Sequence, residues 1–328
     1  MKYLITGATG FIGPHLVKKL VSESHTCRCL VRTASNAEPL KASGVELVEG
    51  DITRAESLKG IANGMDRVLH MATLGHMSNF TVTESMFDAI NAQGTQNVMA
   101  EALRAGVPRV VHCSTVAAMG ICEDVPATEE SVCNPHHPYG RSKLKAEQNV
   151  LGLIKKKHLP AVIIRFSMVY GPGDGRDILK LTRMAQKGLF PKVGHRPKLT
   201  PLIHVNDAIQ GLLLAAEKGA IGATYLITNH NSLPFDEIRK ILQSALGVTR
   251  LPFYVPEWAA LSIASLTEKI FPVFGKIPPV SRKNIESTLA DRVFSTAKAR
   301  REIGFNPQVD PVEGLKETVK WYKRQGWV

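Results

Sequence analysis

The sequence predicts an α/β fold, a parallel sheet doubly wound by helices, joined to a smaller, mostly helical C-terminal unit. Three observations carry this expectation. Short apolar runs alternate with segments whose apolar residues recur at helical spacing, a rhythm that holds from Lys2 to Phe166. Three glycines, Gly7, Gly10 and Gly13, stand between the first such run and the first helical segment. The residues closing successive runs, Gly7, Arg32, Asp51, Ala72 and Thr115, fall at the carboxyl ends of strands, where sheets of this kind bind ligands.

Lys2 to Thr6 reads as the first strand, and Phe11 to Leu20 as the first helix, with Phe11, Ile12, Leu16, Val17 and Leu20 on one face. A strand that turns at once into a helix leaves the first helical N–H groups unpaired and aimed at one spot, which attracts phosphate. Gly7 suits the tight turn, Gly10 a close approach of backbone to a pyrophosphate, and Gly13 a helix lying close on its strand. The spacing is GxxGxxG, and a glycine-rich turn without a ligand is the competing reading.

Thr26 to Val31 follows as the second strand and ends at Arg32, with no carboxylate where a ribose-binding acid would stand. A guanidinium there can pair with a 2′-phosphate, so NADP(H) is expected over NAD(H), which stays possible. Val45 to Val48 is the third strand, with Asp51 and Ile52 beyond it where an adenine could sit. Arg67 to Ala72 is the fourth strand, Glu84 to Arg104 a long helix, and Arg109 to Ser114 the fifth strand. A helix opens at Pro138 and runs towards His158, and Pro160 to Phe166 is the sixth strand, leading into Ser167 and Met168. Beyond lie a helix from Ile178 to Lys187, a short strand at Pro201 to Asp207 feeding a helix through Glu217, and a last sheet strand from Thr224 to Thr228. Residues 1–166 with about 202–228 are expected to form the sheet domain, and 167–201 with about 229–328 the substrate-binding domain. Phe253 to Val280, apolar but broken by four prolines and by charges, is expected to pack within the smaller unit; a membrane-surface helix or the wall of a greasy substrate site are the alternatives.

Across 328 residues, 44% apolar and 21% charged describe an ordinary globular chain. The net charge of +12 is scattered, with Lys155-Lys156-Lys157 as the one run, so an anionic cofactor site is expected rather than nucleic acid. No secretory pattern or 18-residue uncharged apolar window is present, and the five cysteines show neither zinc nor disulfide spacing. A cytoplasmic protein without an integral membrane span or a metal is therefore expected.

Tyr139 and Lys143 are four apart and share one face of their helix. An ammonium beside a phenol favours the phenolate and lowers a pKa that is otherwise about 10. Thr115, closing the fifth strand, offers a hydroxyl where charge develops on a substrate oxygen. Together these residues suit interconversion of a secondary alcohol and a carbonyl.

The pieces Thr6 to Gly13, Asn91 to Val98, Cys113-Ser114-Thr115, Tyr139 to Lys143, Arg165 to Asp174 and His204 to Asp207 resemble the extended short-chain dehydrogenases/reductases, the NAD-dependent epimerase/dehydratase family. That resemblance implies a Rossmann-type sheet, Tyr139 as catalytic acid/base, Lys143 as its partner and ligand of the nicotinamide ribose, and Thr115 as the hydroxyl member. It further implies a cofactor site lined by Gly7, Thr9, Gly10, Phe11, Ile12, Arg32, Asp51, Ile52, Ala72, Asn91, Lys143 and Phe166, and a substrate side at Ser167, Met168 and Thr200. A homodimer through the helices near 84–104 and 139–157 is the family expectation. Val116-Ala117 replace the acidic pair of the family's dehydratases, and Met168 and Thr200 replace an Asn and an Arg of many nucleotide-sugar epimerases. The Leu30-Val31-Arg32 ending and the stretch Phe294 to Arg300 are instead similar to the dihydroflavonol reductase and 3β-hydroxysteroid dehydrogenase branch. An oxidoreductase acting on a small apolar or sterol/flavonol-like substrate is expected, with a nucleotide-sugar 4-epimerase holding NAD and a non-catalytic dinucleotide-binding scaffold as alternatives.

Overall fold

The computed structural model describes residues 1–33, 37–75, 82–190, 192–194, 198–271, 282 and 289–328. Its centre is a seven-stranded sheet built from β1 (Lys2–Thr6), β2 (Thr26–Val31), β3 (Glu46–Glu49), β4 (Arg67–His70), β5 (Val110–Thr115), β6 (Ala161–Phe166) and β10 (Thr224–Ile227). The order is β10-β6-β5-β4-β1-β2-β3, and every adjacent pair is parallel. The order reverses beside β1, which opens a crevice above the glycine turn.

Alternate residues of each strand feed opposite faces. Ile5, Cys29, Val111 and Ile164 pack with α1 (Ile12–Ser22) and α5 (Val205–Lys218) on one side. Leu4, Val68, Val110 and Ile163 pack with α2 (Gly94–Arg104) and α3 (Pro138–Lys157) on the other. Burial on both faces explains why β6 is an unbroken buried run. Cys27 and Cys29 alternate along β2 into the same core layer, and all five thiols are unpaired.

A third cluster joins Tyr170, Ile178, Leu242 and Tyr322, drawing together β7 (Met168–Tyr170), α4 (Asp177–Lys187), α6 (Phe235–Leu246) and α9 (Pro311–Arg324). Of the short strands β8 (Leu199–Thr200), β9 (Leu202–His204) and β11 (Leu233–Pro234), β9 pairs with β7 and β8 with β11, and Leu202 and Leu233 join this cluster. Helix α8 (Ala297–Ile303), in the part of the chain assigned from sequence to the smaller unit, packs through Ala299 and Ile303 into the sheet's own core, as does Phe305 just beyond it.

Two expectations are corrected. The long helix before β5 contains a π-helical segment, Asp88–Gln93, between Glu84–Phe87 and α2. Helix α7 (Glu257–Ile270) buries only Ala260 and Ala264 and leaves Trp258, Ile263, Leu266 and Ile270 exposed, rather than packing its apolar face within the smaller unit; residues 272–280 of that stretch lie outside the described residues. Among the described residues no helix is long and apolar enough to cross a membrane.

Candidate active site

The glycine turn is shaped by contact. Gly7 has φ +77°, and a Cβ there would lie 2.7 Å from Ala72 N, so the turn after β1 and the exit of β4 touch directly. Gly10 N–H donates to Gly7 O at 3.0 Å, closing the turn. A Cβ at Gly13 would collide with Ala8 backbone, which explains how closely the helix approaches the turn. Thr9 and Gly10 are exposed, and no side chain caps the first turn of α1. The cradle, exposed backbone beside an uncapped helix N-terminus, fits a dinucleotide's pyrophosphate.

A chain of hydrogen bonds runs beneath the turn. Ala72 N–H donates to Thr6 Oγ1 at 3.1 Å, Thr6 Oγ1 meets His70 Nδ1 at 2.7 Å, and His70 Nε2 meets Thr95 Oγ1 at 2.9 Å. Thr95 Oγ1 donates to Asn91 O at 2.6 Å. With Thr95 donating onwards, His70 donates through Nε2 and accepts through Nδ1, so only the neutral ring satisfies the chain. Burial holds His70 down to about 3, and it lowers stacked His112 as well; Lys143's charge acts on both in the same sense.

Asn91 is tied into the same region. Its Oδ1 accepts from Leu74 N–H at 2.7 Å and Thr73 Oγ1 at 2.9 Å, while Nδ2 donates to Leu74 O at 3.1 Å and Ser142 Oγ at 2.9 Å. Ser142 Oγ donates to Tyr139 O at 2.8 Å. The amide is thus occupied in tying the exit of β4 to α3. The π-helical segment carries this residue, as such irregular turns often do near functional sites.

Thr115 and Tyr139 are brought together: the phenol lies within hydrogen-bonding reach of both Thr115 and Thr73. Thr115 Oγ1 also accepts from Ala117 N–H at 3.2 Å. Burial raises the Tyr139 pKa, against the lowering effects of Arg176's charge and those two hydroxyls. Lys143 lies one turn further along the helix, but its buried ammonium donates to Cys113 O at 2.8 Å. Burial lowers Lys143 to about 8. The expected lowering of the phenol is not seen: burial carries its pKa upward, and Arg176, Thr115 and Thr73 are the groups that act against it. Arg176 comes from the segment after β7, and its Nη1 would lie 3.2 Å from a Cβ on Gly75.

A buried ion pair backs the site. Arg165 Nη2 donates to Glu147 Oε2 at 2.7 Å and Nε to the same carboxylate at 3.1 and 3.2 Å, and Ser114 Oγ also donates to it. Burial opposes the Arg165 charge, but Glu147 carries its pKa upward. Glu147 is four residues after Lys143, and Arg165 interrupts an apolar strand; those two irregularities were the available sequence signal. Thr73 and Arg176 had no comparable local signal.

The other predicted residues spread along the crevice. Arg32 is exposed at the end of β2, with its charge acting on Asp51. Asp51 Oδ1 accepts from Thr53 N–H at 2.8 Å and Oγ1 at 2.7 Å; burial raises its pKa, but these bonds and nearby arginines bring it down overall. Ile52 packs against Gly94, Phe11 lies beside His15, and Phe166 is buried at the end of β6. Ser167 is buried with its Oγ unpartnered, Met168 pairs with Leu202, and Thr200 pairs with Leu233. Among the described residues no group of three His, Cys, Asp or Glu could hold a metal.

A parallel dinucleotide-type sheet with a phenol, a hydroxyl and a buried ammonium at its carboxyl edge defines a nicotinamide-dependent oxidoreductase. The chain belongs to the NAD dependent epimerase/dehydratase family, whose model matches residues 3–228, and it is an enzyme of the extended short-chain dehydrogenase/reductase type. It is 29% identical to the 2-alkyl-3-oxoalkanoate reductase of Stenotrophomonas maltophilia, with 96% of this chain and 98% of that protein covered. It is 28% identical to sterol demethylase protein B of Methylococcus capsulatus, with 100% of both covered. The dTDP-glucose 4,6-dehydratase DesIV of Streptomyces venezuelae, solved with NAD, superposes with a TM-score of 0.81 at 27% identity, covering 100% of this chain and 98% of that one.

Proposed function

We propose that this enzyme interconverts a secondary alcohol and a ketone on a small apolar or sterol/flavonol-like substrate, with NADP(H) preferred over NAD(H). The observation that carries the reading is the Tyr139 hydroxyl beside Thr115 at the sheet's edge. When bound in the crevice, the dinucleotide supplies hydride transfer at its nicotinamide ring. Tyr139 gives or takes the proton at the substrate oxygen, and Thr115 holds that oxygen by a hydrogen bond. Lys143, buried on α3, would bond a ribose hydroxyl. Gly7, Thr9, Gly10, Phe11, Ile12, Asp51, Ile52, Ala72, Asn91 and Phe166 would line the dinucleotide, with Arg32 opposite the 2′-phosphate. Ser167, Met168 and Thr200 would border the substrate. The relatives named for reduction of an oxoalkanoate and for sterol demethylation support an apolar substrate, and Val116-Ala117, Met168 and Thr200 weigh against sugar nucleotides.

The test is turnover with NADPH and NADH across ketones, steroids and sugar nucleotides. Reduction of apolar ketones faster with NADPH is expected; UDP-sugar epimerisation with NAD retained through purification would replace this reading. Pairing of two copies through the helices spanning 84–104 and 139–157 is part of the proposal, and a monomeric mass in solution would remove it. The cytoplasm is the proposed compartment, and a two-domain division at about residues 166, 202 and 228 the proposed organisation.

A further inference from the structure

Several buried polar atoms near the site lack partners, and one of them lies in the substrate-side wall. Arg292 Nε is shut off from solvent and has no hydrogen-bond partner. Its backbone N–H donates to Leu199 O at 3.3 Å, beside Thr200, and its guanidinium carbon lies 5.9 Å from the centre of the Phe294 ring. Among the described residues no carboxylate acts on it, and Cys122 is the one ionisable neighbour that does. The charges of Arg292 and Arg165 both reach the Cys122 thiol, which places Arg292 near the segment that follows Thr115. Arg292 is half-buried, and a guanidinium whose Nε is cut off from water with no counter-charge is costly unless a ligand supplies the anion. Ser167 Oγ, directly after β6, is another buried polar atom without a partner.

Resting on the oxidoreductase reading above, we propose that Arg292 anchors a carboxylate of the substrate, so that the enzyme takes oxo or hydroxy acids with an apolar body. One guanidinium matches one negative charge. The neighbouring arginine, Arg165, already has its charge met by Glu147, so a diphosphate would remain undercompensated. Phe294, Met119 and Val116 form an apolar cluster beside this anchor, on which Cys122 packs, and this surrounding suits a hydrocarbon rather than a sugar.

The experiment compares 4- and 5-oxoalkanoic acids with their methyl esters, using wild type, Arg292→Met and Arg292→Lys, with melting temperature as the folding control. Wild type is expected to favour the acid in kcat/KM by roughly tenfold to a hundredfold, the worth of a hydrogen-bonded charge pair. Arg292→Met should collapse that ratio through KM, and Arg292→Lys should retain part of it. An ester used as well as the acid, or an acid preference that survives Arg292→Met, overturns the anchor while leaving the oxidoreductase reading intact. If no ketone or alcohol is turned over at all, that reading fails instead, and binding decides the anchor. Unreactive decanoate should raise the melting temperature of wild type and of Arg292→Lys more than that of Arg292→Met. Equal shifts, or none, overturn it.

Discussion

The floor of the site and its substrate-side wall differ in how far a continuous chain of hydrogen bonds runs through them. In the floor, Thr6, His70, Thr95, Asn91 and Ser142 pass hydrogen bonds from Ala72 N–H to Tyr139 O, and Glu147 satisfies Ser114 and much of Arg165. In the wall, Ser167 Oγ and Arg292 Nε are buried without partners. The floor's continuous chain of hydrogen bonds holds the reacting groups still, as preorganised catalysis requires, although the His112 ring and Arg165 Nη1 are buried in it without partners. A wall with open donors waits for a ligand to complete it. Substitutions in the floor should therefore damage turnover or stability outright, and those facing ligands should redistribute specificity.

The largest effect should come from Tyr139→Phe, which keeps the ring but removes the proton carrier. Turnover should fall by about 10²–10⁴-fold or more, with dinucleotide binding retained in a fluorescence titration. Retained turnover would remove Tyr139 from the chemistry and the floor from its catalytic role.

Next is Glu147→Ala, which leaves the Arg165 guanidinium buried without its carboxylate. A stability loss of about 3–5 kcal/mol is expected from urea unfolding. A loss under ~1 kcal/mol, the range of exposed pairs, would show that water reaches the pair and that the floor is not closed.

The histidines give the comparison a pH signature. The unfolded chain takes up a proton on His70 as pH falls through 6.5, but the folded ring stays neutral until about 3. The unfolded state therefore binds more protons across that window, and folding stability declines as pH falls from 6.5 towards 3. By pH 5 the His70 contribution is about 2 kcal/mol. His112 is lowered by the same burial, and both its ring nitrogens lack partners, so His112→Leu removes a titrating group without orphaning another. Unfolding free energy of His112→Leu should fall less between pH 7.5 and 5 than that of wild type. Parallel curves would mean that this layer titrates freely.

The floor was the legible half of the molecule, because its parts are local or periodic. The glycine turn, the Tyr139–Lys143 spacing and the strand ends follow from short stretches of chain, and every strand of the main sheet was recognised within a residue or two at most boundaries. Asn91 was picked out, but its bonds to Leu74 and Ser142 were not, since they join segments far apart in the chain. The action of Arg176 on Tyr139, and the open Nε of Arg292, arise where segments far apart in sequence meet. No local period marks such meetings. The exposed face of α7 escaped for a related reason, since apolar composition does not say which partner covers it.

The smallest expected effect concerns the outer edge of the crevice, where floor gives way to solvent. Arg32 is exposed there, and its charge already acts on the Asp51 carboxylate, so a 2′-phosphate would meet one fixed cation with an anion close by. Exposure and screening limit the pairing to a fraction of what a buried fork provides. Arg32→Ala should lower the ratio of NADPH to NADH affinity by roughly tenfold, about 1.4 kcal/mol, at low ionic strength. Raising salt towards 1 M, where the Debye length shrinks to about 3 Å, should narrow the wild-type ratio towards that of the variant. A ratio indifferent to both the substitution and the salt would mean that the 2′-phosphate lies elsewhere, and the absent carboxylate at the end of β2 would then carry no preference between the two dinucleotides.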